Sequence, residues 1–485
     1  MSQLARNTAL LTAASIGQKA VAFLYFAAIA KTIGDSATGA YFLALGLTTT
    51  IGVLDDLGLT SVLIREVART PEKAIVYTRN IMGLKMLTMP ITVLCAFILP
   101  GLLGFDAQAS TLAFIAVIVM LCDTVSLTFY GALRGLHVLK YESIGIFVGQ
   151  TITTIIGVFV LLEGATDLRF LILALIAGSL WNACFAVYNV VKRLGIKALA
   201  PSYSLGLEPL KMSFMFFLAA IFVKVYSYVD SFTLNMVMGQ AAVGVYAVAY
   251  KLTYAFQFLP LAFVGALYPA MSAQAGDKVA LKKTFLQAEW YVALLAAPVV
   301  FGIFAIAPEL IHTFYGSDYA ESPAVLQILI FVLIFVFLDF PMGSFMNATG
   351  NQRIKTGIMG VTMVINVVSN LLLIPVLGIP GAAVSALLCF AFMFTAGFFA
   401  VRHIAGVTTF DIILKVGGLF AAGAVMSAVV MILKPFMFWA LTIPVGALVF
   451  FMVAFLTKAI TVNHLKLFRG LISRKSYAPS PASNV

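Results

Sequence analysis

KAVAFLYFAAIAKTIGDSATGAYFLALGLT, residues 19–48, and KVYSYVDSFTLNMVMGQAAVGVYAVAYKLT, residues 224–253, are two copies of one pattern. Each is an apolar run of helix length, a break at glycine, and a second apolar run. Shifted by 205, Lys19 falls on Lys224, Gly34 on Gly239, Gly39 on Gly244 and Tyr41 on Tyr246. Ala37, Ala44, Leu47 and Thr48 match Ala242, Ala249, Leu252 and Thr253, giving eight identities in thirty positions. Apolar coincidences are common between membrane helices, so the glycines and lysines count most. A weaker echo near a shift of 215 places Gly135, Lys140 and Gly145 on Gly350, Lys355 and Gly360. Such a period is the signature of a repeated architecture.

The rest of the chain shares this character. Its 485 residues are 62% hydrophobic and 10% charged, with a mean hydropathy of +1.06, where a soluble chain carries roughly 25% charged residues. That excludes disorder, a disulfide scaffold and a soluble enzyme. At about 20 apolar residues per crossing, the spans fall at 8–30, 38–63, 80–103, 110–133, 143–162, 168–191 and 212–237. They continue at 241–270, 285–314, 324–348, 356–376, 381–401, 412–433 and 437–457, fourteen in all. No run alternates with period two, which excludes an outer-membrane barrel, and helices are the other way to satisfy the backbone in lipid. The expected fold is an all-α polytopic membrane protein. Cys95, Cys122, Cys184 and Cys389 lie in apolar stretches without CxxC spacing and read as small buried hydrophobes. The N-terminus has no A-x-A cleavage site and reads as a retained span.

Orientation follows from charge. With the N-terminus inside, 23 of the 30 Lys/Arg fall on the inner side and three, Lys31, Arg169 and Lys434, on the outer. Lys19, Lys85, Lys224 and Lys251 remain within spans. A miscounted span would invert every later loop, so this asymmetry supports fourteen spans with both termini cytoplasmic. The net charge of +11 reflects the same asymmetry and not a nucleic-acid partner. Six spans separate the copies, so the lobes are parallel. The expected division is a first six-helix lobe at 1–192, a cytoplasmic connector at 193–211 and a second lobe at 212–403. Spans 13 and 14 occupy 404–460, outside the repeat, and a cytoplasmic tail 461–485. The connector stretch KRLGIKALAPSYSLGLEPLK suits a hinge or a surface helix, and SYAPSPASNV has the composition of a disordered tail.

No GxxxxGK[ST], HExxH or GxSxG occurs, and the four histidines show no metal spacing. An ATPase, a metal hydrolase or any cofactor is not expected, so a proton or sodium gradient or the membrane potential would supply the drive. Function must lie in the charges inside the membrane, where an ionisable group costs about 2.5–3.5 kcal/mol at mid-bilayer. Lys19 lies about 22 Å below Gly34, a depth that Asp55 and Asp56 reach on the next span, so an ion pair is expected there. Lys224 has the same depth, but Pro260 and Leu261 replace the aspartates. Asp230, about 9 Å higher, is expected to pair with Lys251 and leave Lys224 unpartnered. Tyr228, Ser231 and Asn235 extend a polar face from Lys224, as Thr8, Thr12 and Ser15 do towards Lys19. Thr151, Thr154, Asn366, Ser369 and Asn370 add to these stripes, which predict a wet cavity between the lobes, against the blander reading of interhelical hydrogen bonds. Lys85 and Glu289 read as snorkelling side chains. Arg65 with Glu66 reads as a gate or interfacial pair, and Asp123 and Asp339 as deep acids without an obvious base.

Local wording adds a family. DDLGLTSVLIREVAR at 55–69 resembles the second-span region of polysaccharide-transport proteins in the multidrug/oligosaccharidyl-lipid/polysaccharide (MOP) superfamily. VDSFTLNMVMGQAAVGVYAVAYKLTYAFQFLPLAFVGALYPAMS at 229–272 is similar to their second-lobe signature. FYGSDYAESPAVLQIL at 314–329 and RGLHVLKYESIG at 134–145 resemble two of their loops. The resemblance covers about residues 1–400. It implies an O-antigen-type flippase, not an enzyme, moving undecaprenyl-pyrophosphate-linked oligosaccharides across the bacterial inner membrane by alternating access. Cavity cations would hold the pyrophosphate, a role carried first to Lys224 and Lys19 and then to Lys251 and Arg65. Implied partners are the lipid-linked glycan, membrane lipids and a polysaccharide polymerase complex, with the chain itself a monomer. By analogy with the lipid II flippase branch, spans 13 and 14 would border a groove for the prenyl tail.

Two alternatives share the architecture. A lipid II flippase of peptidoglycan synthesis would be expected to carry an arginine cluster in spans 1 and 2, which this chain lacks. A cation-coupled multidrug exporter needs a dominant acidic site, whereas both repeat-related central positions here are lysine. A scaffold for a polymerase would leave those lysines unexplained.

Overall fold

The computed structural model describes residues 3–164 and 167–461. The side chains of 3–14 and 261–266, Thr8 and Thr12 among them, and the tail beyond 461 lie outside the described residues. Within them the chain is helical. The first half runs α1 (Gln3–Ile33), α2 (Asp35–Asp56), α3 (Leu59–Arg69), α4 (Ala74–Leu102), α5 (Ala107–Gly135), α6 (Lys140–Leu162) and α7 (Arg169–Leu194). The second runs α8 (Glu208–Met238), α9 (Gln240–Tyr254), α10 (Phe258–Ala273), α11 (Lys278–Tyr315), α12 (Ser322–Leu329), α13 (Val332–Ala348), α14 (Gln352–Leu377) and α15 (Ile379–Ala405). Then come α16 (Thr409–Leu433) and α17 (Thr442–Leu456).

Among the described residues, thirteen helical segments are long and apolar enough to cross a membrane. The expected span 241–270 is broken instead. α9 stops after 15 residues, one 3-10 turn follows at Ala255–Gln257, and α10 resumes. Its counterpart 38–63 breaks too. Leu57 and Gly58 take left-handed φ values of 45° and 73°, ending α2 just after its paired aspartates. Gly58 is required twice over, because a Cβ there would also lie 2.8 Å from Phe216 Cβ on α8. Reading 38–63 as one span missed a break set by the close approach of another helix.

The packing itself repeats. α1 lies on α6, α2 and α3 on α5, and α6 on α7; likewise α8 lies on α14, α9 on α12, α10 on α13, and α14 on α15. The halves meet where α2 crosses α9. A Cβ at Gly39 would stand 1.9 Å from the carbonyl oxygen of Gln240, and one at Gly244 would stand 1.9 Å from that of Asp35. Residues 35 and 240 are themselves 205 apart, so the contact is reciprocal across a pseudo-twofold axis. Small residues permit such backbone approach between membrane helices. Further bonds tie the Gly34 end. Tyr319 donates to the Ala30 carbonyl (2.9 Å) and its oxygen accepts from the Thr38 hydroxyl (2.8 Å).

Two additions sit outside this symmetry. α16 packs along α11 and α17 along α16. The connector, expected as a hinge or surface helix, has one 3-10 turn at Ile196–Leu199 and is then pinned to α4. Arg79 Nε donates to Ala200 O (2.9 Å), Ser202 N donates back to Arg79 O (3.0 Å), and Asn80 Oδ1 accepts from Leu205 N (2.8 Å).

Candidate functional site: a cationic cavity beside an apolar groove

A cavity of about 580 Å³ opens between the halves, and its charged lining residues are Asp56, Asp123, Lys224 and Lys251. Most of the wall comes from α2, α5, α6 and α7; α8 contributes Lys224 and Tyr228, and α9 contributes Lys251. Tyr228 is seated by Gly46, where a Cβ would stand 2.8 Å from its ring. Among the described residues neither lysine has an ion pair. Lys251 rests over two aromatic faces, 5.2 Å from the Phe26 centroid and 5.5 Å from that of Phe42, which offsets part of its burial. Lys224 is half-buried.

Several expected pairings are replaced. Lys19 does not meet Asp55 or Asp56. Asp56 is bonded by Lys85 Nζ (2.7 Å) and by the Thr60 hydroxyl, and Asp55 by the Thr88 hydroxyl (3.1 Å). Lys85, expected to snorkel, has no exposed surface. Glu289 does not snorkel either: it is fully buried. Asp230 does not meet Lys251; it accepts from Tyr246 (2.8 Å) and from Asn370 Nδ2 (2.6 Å). Lys251 therefore joins Lys224 as a cation without a carboxylate. Asp339 does have a base, Lys355, at 2.6 Å.

The polar stripe on α8 also splits. Ser231 is buried away from the cavity, and Asn235 holds the turn after α4, donating to Leu103 O (3.0 Å) and Gly104 O (3.1 Å). Only Tyr228 of the three lines the cavity. Ser15 is half-buried and lines neither this cavity nor the groove described next. Helical spacing groups these residues on one face, but the neighbouring helices divide that face between cavity and lobe interior. Asp123, read from the sequence only as a deep acid without a base, lines the cavity; Gln150, Ser179 and Asn182 are among the lining residues that reading did not name, and polar side chains inside apolar spans were their available signal.

Lys19 instead edges a groove of about 620 Å³, where it is the charged residue in a lining that is apolar apart from Thr442. Phe23 of α1, Phe256 before α10, Ile303 of α11, Met426 of α16 and Ile443 of α17 form its sides. Groove and cavity stand back to back. Gln18 faces the cavity and Lys19 the groove on α1, as Lys251 and Leu252 do on α9. Arg65 occupies a third space with Arg353 and Lys355. It donates to Glu66 (2.8 Å) and lies 6.0 Å from the Phe216 ring, eight residues or about 12 Å along α8 from Lys224. The four expected cations thus fall in three different spaces.

Two halves with matching helix packing, around a cavity, define a polytopic helical membrane protein. The profile described as polysaccharide biosynthesis protein matches residues 4–274, more than half the chain, and the MatE profile matches 216–372. The chain belongs to the polysaccharide biosynthesis protein family. It is 24% identical over 395 residues to the "Probable low-salt glycan biosynthesis flippase Agl15" of Haloferax volcanii, covering 80% of this chain and 81% of that protein. The fold is similar to that of a structure described as "Lipid II flippase MurJ, inward closed conformation". That match has a TM-score of 0.74 at 15% identity, over 96% of this chain and 99% of that one. A structure described as an inward-facing multidrug resistance MATE family transporter of the MOP superfamily gives 0.67 at 14% identity. It covers 81% of this chain and 96% of its own.

Proposed function

We propose that the protein is a flippase for a lipid-linked oligosaccharide, working by alternating access. The carrier is undecaprenyl pyrophosphate, the cargo an O-antigen or exopolysaccharide repeat unit, and the setting the bacterial inner membrane. One observation carries this reading: two lysines without carboxylate partners among the described residues face a single polar cavity that backs onto an apolar groove. A pyrophosphate in the cavity would supply the missing counter-charge, and its sugars would exchange water for polar side chains. The prenyl chain would stay in the groove beside α16 and α17. The naming of the Haloferax relative as a glycan biosynthesis flippase supports a transport role over an enzymatic one.

The positive-inside count makes the Gly34/Gly239 end the outer one. The α2–α9 crossing then closes the outer end, a state suited to loading from the cytoplasm. The test is complementation of a flippase-null strain, read beside membrane protein level. Lys224→Ala and Lys251→Ala should each reduce transport by about tenfold or more with normal protein levels, since neither orphans a buried partner. Lys224→Arg should keep part of the activity, because charge survives while donor geometry changes. Full transport in both alanine variants would overturn the assignment.

A further inference from the structure

The cavity has two unlike walls. α8 and α9 supply its cations, while α5, α6 and α7 supply Asp123, Gln150, Ser179 and Asn182. Asp123 lies 16 residues into α5, about 24 Å along it, and Lys224 lies 14 residues before the end of α8, about 21 Å. Carboxylate and ammonium are thus at similar depth, yet among the described residues Asp123 forms no ion pair.

The repeat shows that this openness belongs to the first half alone. Asp339, 216 residues on, is bonded by Lys355 at 2.6 Å. Lys140, the counterpart of Lys355, lies 4.8 Å from the Tyr141 ring instead of reaching Asp123. An acid at nearly the same place in each half is thus paired in the second and exposed inside the cavity in the first. The helices behind it are held close by glycines. A Cβ at Gly178 would stand 2.1 Å from Thr153 Oγ1 and 2.5 Å from Gly149 O, so α6 and α7 present their amides from a fixed backbone. Asn182 lines the cavity with its Oδ1 accepting from Tyr130 (3.3 Å) and its Nδ2 set against Gly149, so Nδ2 is the group left to donate.

A carboxylate beside amides and a hydroxyl suits sugar hydroxyls. Each hydroxyl can donate to the carboxylate while accepting from an amide N–H. We propose that Asp123, Gln150, Ser179 and Asn182 form a glycan-reading subsite, which binds the sugars next to the pyrophosphate held by Lys224 and Lys251. This rests on the flippase reading and gives the cargo a direction, sugars towards α5–α7 and phosphates towards α8–α9.

The test uses the full-length protein in lipid nanodiscs and two probes. One is the lipid-linked oligosaccharide that accumulates in cells lacking this chain. The other is undecaprenyl pyrophosphate alone, the same carrier without its sugars. Wild type should bind the intact lipid about tenfold more tightly or better, the scale of hydrogen bonds to a charged group. Asp123→Ala with Asn182→Ala should bring that ratio close to one while changing affinity for the stripped lipid by less than about threefold. Gln150→Ala, a milder change, should lower the ratio by about threefold. Asp123→Asn should keep most of the preference, because an amide oxygen still accepts a hydroxyl. Lys224→Ala should weaken both probes alike. Equal wild-type affinity for the two probes would overturn the subsite and leave the pyrophosphate assignment standing. An Asp123→Asn variant as impaired as the alanine one would also overturn it, pointing to a charge requirement. Failure of wild type to bind either probe would remove the flippase reading itself.

Discussion

Lys85 and Glu289 are each the twelfth residue of their helices, α4 and α11, and neither exposes any surface. Lys85 reaches Asp56 at 2.7 Å and the Thr60 hydroxyl at 3.1 Å. Both carboxylate oxygens of Glu289 are buried with no hydrogen-bond partner among the described residues. The difference originates upstream, since the second half has Pro260 and Leu261 where the first has Asp55 and Asp56. The duplicated backbone therefore preserves which positions are buried, not the chemistry that each burial demands. Asp123 and Asp339 teach the same lesson with the roles reversed, as the second half holds the paired acid.

The strongest way to break this comparison is Lys85→Ala. Removing it leaves half-buried Asp56 with the Thr60 hydroxyl alone, so a loss of about 1.5–3 kcal/mol is expected, measured as a marked fall in membrane protein level. Normal levels would mean that the pair is not structural. Next comes Gly39→Leu at the reciprocal crossing. A side chain cannot rotate away from backbone 1.9 Å from its Cβ, so overpacking should cost about 1–3 kcal/mol and part the outer ends. A single cysteine at the cavity-lining Thr49, in a Cys-free background, should then react with an impermeant reagent from outside, where the parent is protected. Unchanged protection would show that the crossing is not the outer closure. Glu289→Gln sharpens the contrast with Lys85, because no partner is orphaned; the protein level should stay within about 1 kcal/mol of wild type. A fall like that of Lys85→Ala would reveal a partner for Glu289. The smallest effect is expected for Lys19→Ala. Lys19 is exposed along the groove, so its loss should move stability by no more than about 0.5 kcal/mol, whereas a pair with Asp55 or Asp56 would have made expression fall.

Composition and span length were enough to determine the helical membrane architecture, and the wording of stretches such as 55–69 and 229–272 pointed to the family. These depend on hydropathy, length and order, which are properties of the chain in one dimension. Depth along each helix is also a matter of counting residues, which sets Lys19 and the aspartates about 22 Å below the Gly34 turn. Direction around the helix was decided only in the folded protein. Successive residues are turned by about 100°, so Gln18 faces the cavity while Lys19 faces the groove. In the same way Lys85, from a third helix, takes the aspartate that Lys19 was expected to hold. Which groups pair inside a membrane depends on helix rotation and on which helices become neighbours, and packing across the whole molecule sets both.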